Sequence, residues 1–198
     1  ATVNSAFPGQ ACSAISRLLI HRTRYDEFIE LLRGKAQQAG PCMLIDRAAV
    51  ERIERYANIG KAQGSLLFGG SRPTGDEYAK GCYFEPTAYY FADQSSPVCR
   101  DEIFGPILSV LTFESDDEAL TLANDTDYGL LVSLWTQDPT RQRFLARRLE
   151  VGVVVVLFRV PRLHSRTDHY HVRVVVVPLS RQHSRTVEVV VVAAVIVP

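Results

Sequence analysis

Residues 106–156 alternate between short apolar runs and amphipathic stretches, and this order constrains the fold more than any other feature of the sequence. The apolar runs are too short for helices and are bounded by turn residues, which favours strands. Ser115 and Glu118 have the spacing of a capping box, and Pro139 suits the first position of a helix. Strands that alternate with helices form parallel crossover units, so we predict an α/β fold with a mostly parallel sheet covered by helices. The predicted strands are 106–113, 130–136 and 151–156, and the predicted helices begin at 116 and 139.

The first hundred residues contain further segments of the same two kinds. One predicted helix spans 46–63, where apolar residues recur on one stripe and Gly64 supplies a C-cap. The charged side chains between the apolar positions are predicted to face water. The stripe is formed by Val50, Ile53, Tyr56 and Ala57, and the charged face by Arg52, Glu54 and Arg55. Another helix is predicted over 25–38, and strands over 16–21, 65–68 and 87–92.

Composition excludes several classes of function. The 198 residues carry 22 basic and 22 acidic side chains, so no net field attracts nucleic acid or an anionic membrane. We therefore expect small molecules or other protein surfaces as partners. The four cysteines show no CxxC spacing, and residues 1–11 do not resemble a signal peptide, which favours a reduced, cytoplasmic protein. No apolar run reaches the roughly 18 residues that a membrane span needs.

The sequence changes character after residue 156. HSRT occurs at 164–167 and again at 183–186, and valine and arginine dominate the surrounding residues. We predict a folded domain over 1–156 and an atypical Val/Arg/His-rich tail over 157–198, either mis-framed or disordered. Three histidines of this tail could bind a metal only together with a further ligand, and surface histidines are the alternative, so we predict no metal site. They are His164, His169 and His171.

Cys12 is the first candidate for chemistry. A thiolate attacks carbonyl carbon, and small neighbours leave room for a carbonyl group to approach and for backbone N–H groups to face an oxyanion. The alternative is that Cys12 is a small buried apolar residue, as most free cysteines are. The small neighbours are Gly9, Ala11, Ser13 and Ala14.

The second candidate is the segment 101–106, DEIFGP. Side chains two apart point to the same side of an extended segment, so Glu102 and Phe104 are expected to face one ligand. Glu102 can bind the paired hydroxyls of a ribose while Phe104 packs on a flat ring. The alternative is that Glu102 is solvated and Phe104 belongs to the core.

Five segments in order resemble the aldehyde dehydrogenase superfamily over about residues 5–156. The resemblance identifies residues 1–156 as a partial C-terminal catalytic domain of that family. SAF before the Gly-Gln pair and YANIGKAQG at 56–64 are most similar to the 1-pyrroline-5-carboxylate dehydrogenase branch. The five segments are GQACSA, SRLLIH, DEIFGPILSV, ANDTDYGL and RRLEVG.

This resemblance implies an α/β fold and oxidation of a small-molecule aldehyde to a carboxylic acid with NAD or NADP. Cys12 matches the family's nucleophile, which forms a thiohemiacetal and then a thioester. Glu102 matches the residue that holds the nicotinamide ribose, and Phe104 the ring beside the nicotinamide.

The same resemblance implies what this chain lacks. In the family the general-base glutamate, the oxyanion asparagine and the phosphate-binding loop precede the nucleophile, whereas eleven residues precede Cys12 here. We therefore expect doubtful cofactor binding and little or no turnover by this chain alone. The alternative is an inactive interaction or assembly module that forms a homo-oligomer or associates with a full-length relative.

Overall fold

The computed structural model describes residues 9–160, 169–176 and 191–195. Six helices and ten strands lie within these residues, together with one turn of 3-10 helix at Arg22–Arg24. The helices are α1 (Tyr25–Ala39), α2 (Arg47–Gln63), α3 (Asp76–Ala79), α4 (Pro97–Arg100), α5 (Asp116–Asn124) and α6 (Pro139–Ala146). The strands are β1 (Ile15–His21), β2 (Cys42–Met43), β3 (Ser65–Phe68), β4 (Tyr83–Phe84), β5 (Thr87–Tyr90), β6 (Ile107–Phe113), β7 (Leu131–Trp135), β8 (Val153–Val160), β9 (His169–Val176) and β10 (Val191–Val195).

Eight of these strands form one open sheet in the order β3-β5-β6-β1-β10-β7-β8-β9. The six inner strands run parallel to one another, and β3 and β9 pair antiparallel at the two edges. The predicted α/β class with a mostly parallel sheet and helices is confirmed. The antiparallel pair β2–β4 lies outside this sheet and was not predicted.

Local capping explains why the predicted helices begin where they do. The side chain of Ser115 accepts a hydrogen bond from the backbone N–H of Glu118 at 3.2 Å, as the capping box predicts. The carboxylate of Glu118 accepts from the N–H of Glu114 at 2.7 Å, one residue earlier than the standard box. Asp138 caps α6 by accepting from the N–H of Thr140 at 2.7 Å.

Both faces of strand β1 are buried. Along β1, Leu18 and Ile20 pack with Ile29 of α1 on one face, and Leu19 packs with Ile53 of α2 on the other. Each of these five side chains is less than a tenth exposed. Parallel strands that are covered on both sides carry continuous apolar runs rather than alternating ones, which is the pattern of SRLLIH.

The described parts of the tail belong to the same sheet. β8 crosses the predicted domain boundary after residue 156, and β9 pairs with β8. β10 lies between β1 and β7 and is parallel to both. The two HSRT segments lie outside the described residues, and the division at residue 156 remains a prediction.

Candidate active site

The three predicted site residues lie at one edge of the sheet. Cys12 precedes β1, and Glu102 and Phe104 precede β6. Because β1 and β6 are parallel neighbours, the loops that enter them meet at the same edge. Cys12, Glu102 and Phe104 all line one cleft of about 300 Å³, counting space open to solvent.

A tight turn presents Cys12 to solvent. The N–H of Ala14 donates to the carbonyl oxygen of Ala11 at 2.9 Å, which places Cys12 and Ser13 at the centre of the turn. Cys12 is exposed. The alternative of Cys12 as a buried apolar residue therefore does not apply.

Gln10 fastens this turn to the segment that follows α1. Its side-chain oxygen accepts from the N–H of Ile45 at 2.9 Å, and its side-chain nitrogen donates to the carbonyl oxygen of Met43 at 3.1 Å. Both ends of the amide are thus satisfied by backbone groups of one short segment. This contact explains why a glutamine stands two residues before the cysteine.

Gly9 and Gly105 bring the two loops into backbone contact. Gly9 has φ +68°, and a Cβ built on it would lie 1.9 Å from the carbonyl oxygen of Gly105. No residue with a side chain could adopt this approach without displacement of backbone. The glycine of the Gly-Gln pair is therefore needed where the Cys12 turn meets the DEIFGP loop.

Phe104 adopts a conformation that the sequence did not predict. Its φ is 55°, so segment 101–106 is not simply extended, although Glu102 and Phe104 still line the same cleft. Phe104 is 38% exposed, whereas Ile103 is buried. The alternative that Phe104 belongs to the core is wrong, because Ile103 takes that place.

Helix α2 supports the DEIFGP loop from behind. Arg52 Nε donates to the carbonyl oxygen of Ile103 at 3.0 Å, and the hydroxyl of Tyr56 donates to Asp101 Oδ2 at 2.8 Å. Arg52 was predicted to face water; it is half-buried, because the loop covers part of its side chain. Arg52 and Tyr56 lie one turn apart on the same face of the helix. The N–H of Glu102 donates to the hydroxyl of Tyr128 at 3.3 Å.

A buried arginine holds the strand that follows the Cys12 turn against the end of α5. Arg17, five residues after Cys12, is 1% exposed and donates to the carbonyl oxygens of Leu122 and Ala123 at the end of α5, each at 3.2 Å. It also donates to the side-chain oxygen of Gln94. Burial lowers the pKa of Arg17 to about 10. The sequence alone marked this residue only as part of a strand.

The same network reaches the residue that precedes the DEIFGP loop. Arg100 donates to both carboxylate oxygens of Asp125, at 2.8 and 2.6 Å. It also donates to the backbone oxygen of Gln94 at 2.8 Å. Through Gln94, the strand that follows Cys12 and the helix that precedes Asp101 share one anchoring point.

The other cysteines differ from Cys12 in exposure. Burial raises the pKa of both the Cys42 and the Cys99 thiol to about 11, which disfavours the reactive thiolate. Cys82 is half-buried.

Within the described part of the chain, no three His, Cys, Asp or Glu side chains gather as a metal site. His164 lies outside the described residues, as do the side chains of His169 and His171. No helix in the described part is long and apolar enough to cross a membrane.

The cleft offers one carboxylate and one exposed aromatic ring to a ligand. Glu102 is the only charged side chain among the described residues that line it. A carboxylate accepts hydrogen bonds from paired hydroxyls, and an exposed ring can stack on a flat heterocycle. The donor set therefore fits a ribose joined to a flat ring, and it provides no cation for a phosphate group.

A second cavity lies behind the contact between the two glycines. It has a volume of about 450 Å³, counting space open to solvent, and its lining includes Cys42, Phe68, Pro86 and Leu108. The two cavities share Gly9 and Gly105, together with Ala14, Ile15 and Ile107, as walls.

Comparisons with known proteins all point to one protein family. A model of the Aldehyde dehydrogenase family matches residues 1–162. Geranial dehydrogenase of Castellaniella defragrans is 34% identical over 167 residues, which cover 79% of this chain and 34% of the relative.

Solved structures agree with this match. Gamma-glutamyl-gamma-aminobutyraldehyde dehydrogenase from Burkholderia cenocepacia superposes with a TM-score of 0.72 at 36% identity, over 78% of this chain and 33% of that one. Betaine aldehyde dehydrogenase from Staphylococcus aureus, solved in complex with NAD+, gives a TM-score of 0.71 at 30% identity, over 78% and 32%. The chain thus spans about a third of the length of the relatives it matches.

Proposed function

This chain belongs to the aldehyde dehydrogenase family, and we propose that it is part of the catalytic domain of an enzyme that oxidises an aldehyde to a carboxylic acid with NAD or NADP. One observation carries the proposal: an exposed Cys12 shares a cleft with Glu102 and Phe104. A nucleophile and a site for a ribose with a flat ring are the two parts that such a reaction brings together.

The proposed chemistry begins at the Cys12 sulfur. The thiolate attacks the aldehyde carbon, a C–S bond forms, and the carbonyl electron pair moves to oxygen. The backbone N–H of Cys12 is proposed as one donor to that oxygen, and a donor of this kind typically contributes about 3 kcal/mol in the transition state. A nicotinamide cofactor, when bound, would supply the acceptor for the hydride that this carbon loses, and loss of the hydride would leave a thioester on Cys12. Water then attacks the thioester, releases the carboxylic acid and returns the thiol.

Glu102 and Phe104 are proposed to hold the cofactor's reactive end. The Glu102 carboxylate would accept hydrogen bonds from the ribose hydroxyls while the exposed Phe104 ring lies against the nicotinamide. The cleft provides no cationic side chain for the pyrophosphate among its described lining residues. We therefore expect this chain alone to bind NAD+ too weakly for calorimetry to detect, and to turn over little or nothing.

The reactivity of the Cys12 thiol tests the proposal without requiring turnover. Mass spectrometry after treatment with iodoacetamide at neutral pH should find Cys12 alkylated faster in the folded chain than in urea. Such a difference means that folding activates the thiol. Cys82 is the matched control, because it is half-buried and does not line the cleft. If Cys12 reacts no faster when folded, the catalytic proposal is wrong.

An activated ester gives a second readout at the same sulfur. p-Nitrophenyl acetate should acylate the folded chain slowly, and Cys12→Ser should remove the acyl label. Cys82→Ser should leave the label in place. A label that persists in Cys12→Ser would assign the reactivity elsewhere.

An assembly module remains the second candidate. Met43 and Ile45 are 65% and 84% exposed beside the Cys12 turn, and adjacent apolar side chains of this kind suit a contact with another protein surface. An inert Cys12 together with a homo-oligomer, or a complex with a full-length relative, in analytical ultracentrifugation would favour this function.

The cellular setting and the branch of the family are also proposals. All four cysteines are unpaired, which supports a reducing, cytoplasmic environment. The similarity to the 1-pyrroline-5-carboxylate dehydrogenase branch remains a prediction.

A further inference from the structure

Phe104 has an unusual backbone conformation. Its φ of 55° makes it the only non-glycine residue with positive φ among the described residues. This region brings Cβ close to the following carbonyl group and is a strained conformation for a bulky residue. Such strain persists only where the surroundings hold the residue in place, and it concentrates at functional sites.

Arg52 contacts the backbone on both sides of Phe104. Its Nε donates to the carbonyl oxygen of Ile103 at 3.0 Å, and Nη2 makes a longer contact of 3.4 Å to the carbonyl oxygen of Phe104 itself. These two carbonyl groups belong to the peptide units before and after the Cα of residue 104, so their relative orientation is set by the φ and ψ angles of that residue. The planar guanidinium holds its donors in a fixed fork, so both contacts together restrict those rotations.

Neighbours on α2 keep the same loop in place. The hydroxyl of Tyr56 donates to Asp101 at 2.8 Å, and the side chain of Ile53 packs at Gly105, where a Cβ would lie 2.0 Å from Ile53 Cδ1. The loop is therefore supported at its two ends by these residues and at its centre by Arg52.

We propose that Arg52 is a positioning residue that holds Phe104 in its left-handed conformation and thereby keeps the Phe104 ring in the Cys12 cleft. The inference rests on the proposed function, because it explains how the ring is presented to a nicotinamide. Without Arg52, residue 104 would relax to a conformation with negative φ, and the ring would leave the cleft wall.

A double-mutant cycle on stability tests this role. Arg52→Ala is made with Phe, Ala or Gly at position 104, and the folding equilibrium constant is measured by urea unfolding. Glycine adopts positive φ without strain, whereas alanine removes the ring but retains the strain. Relaxation after Arg52→Ala therefore relieves strain with Phe or Ala at position 104 and offsets part of the lost contact, whereas Gly has no strain to relieve. Arg52→Ala should lower the equilibrium constant about tenfold more with Gly at position 104 than with Phe or Ala.

Two further variants separate this role from a simple structural contact. Arg55→Ala lies on the exposed face of the same helix and should show equal effects in all three backgrounds. Arg52→Lys replaces the planar guanidinium with a single ammonium group, so it should show only part of the difference between the Gly and Phe backgrounds. The same variant replaces Arg52→Ala in the cycle if Arg52→Ala does not fold.

Equal losses for Arg52→Ala with Phe, Ala and Gly at position 104 would overturn the proposal, because Arg52 would then satisfy carbonyl groups without controlling the backbone of residue 104. The cycle is measured by unfolding alone. An unreactive Cys12 therefore refutes the catalytic proposal and leaves this result standing.

Discussion

Replacement of Gly9 by alanine tests whether the two loops of the site meet as described. The new methyl carbon would lie 1.9 Å from the carbonyl oxygen of Gly105 and 2.3 Å from its carbonyl carbon. Both atoms belong to backbone, so no side-chain rotation relieves the overlap. Alanine would also have to adopt the φ of +68° that glycine tolerates.

The expected cost follows from these two effects. The left-handed conformation costs a residue with a Cβ about 1–2 kcal/mol relative to glycine. Relief of an overlap in packed structure costs about 1–3 kcal/mol. We expect Gly9→Ala to lower the free energy of unfolding by about 2–5 kcal/mol, which is a large share of the roughly 5–15 kcal/mol typical of a domain.

Urea unfolding followed by circular dichroism measures this change, and Gly34→Ala is the matched control. Gly34 lies inside α1, and nothing lies within 4 Å of the position that an alanine methyl group would take there. Alanine at this position should therefore raise stability by about 0.5–1 kcal/mol. The iodoacetamide rate of Cys12 should also fall toward its urea value in Gly9→Ala, because the turn no longer meets the cleft.

Equal stability and equal Cys12 reactivity in Gly9→Ala and the unmodified chain would refute this reasoning. Gly9 and Gly105 would then not be in contact, and the Cys12 turn would not meet the DEIFGP loop as described.

Three other predictions concern the supports of the site and of the sheet. The hydrogen bond from Arg100 holds the pKa of Asp125 below its ordinary value of 3.8. The pair therefore stabilises the fold above pH 3.8, and this contribution disappears as the pH falls below that value. Arg100→Gln should flatten the acid limb of a plot of unfolding free energy against pH. Burial, followed by the hydrogen bond to Asp101, raises the pKa of Tyr56 from 10.0 to about 12. The contribution of neutral Tyr56 is therefore present below pH 10 and lost as pH rises to about 12, and Tyr56→Phe should remove this loss from alkaline unfolding curves. Ser115→Ala removes the cap of α5 and should lower the urea-derived stability by about 1 kcal/mol.

Features set by local chemistry could be predicted from the sequence. Ser115 is the N-cap of α5, as predicted, and α2 begins immediately after Asp46, whose side chain accepts from the N–H of Ala49. The meeting of Cys12 with Glu102 and Phe104 was expected from their motifs and follows from parallel strands that enter the sheet side by side.

Features set by distant partners could not be predicted. Helical periodicity places Arg52 off the apolar stripe, but it does not reveal that a loop 51 residues later covers that face. Arg17 has partners 77 to 106 residues away, and no local pattern identifies them. The two-residue strands β2 and β4 are too short to show a period. The positive φ of Phe104 has no signal in a sequence without glycine at that position.

The position of β10 has a consequence for how the chain folds. Residue 15 pairs with residue 191, so the centre of the sheet closes only after residue 191 has left the ribosome. Until then β1 and β7 each present an unpaired row of backbone N–H and C=O groups, which other chains can join. Pairing across so long a stretch of chain is slow, so this exposure lasts. A chain that ends before residue 191 should therefore aggregate during synthesis instead of forming a smaller soluble unit.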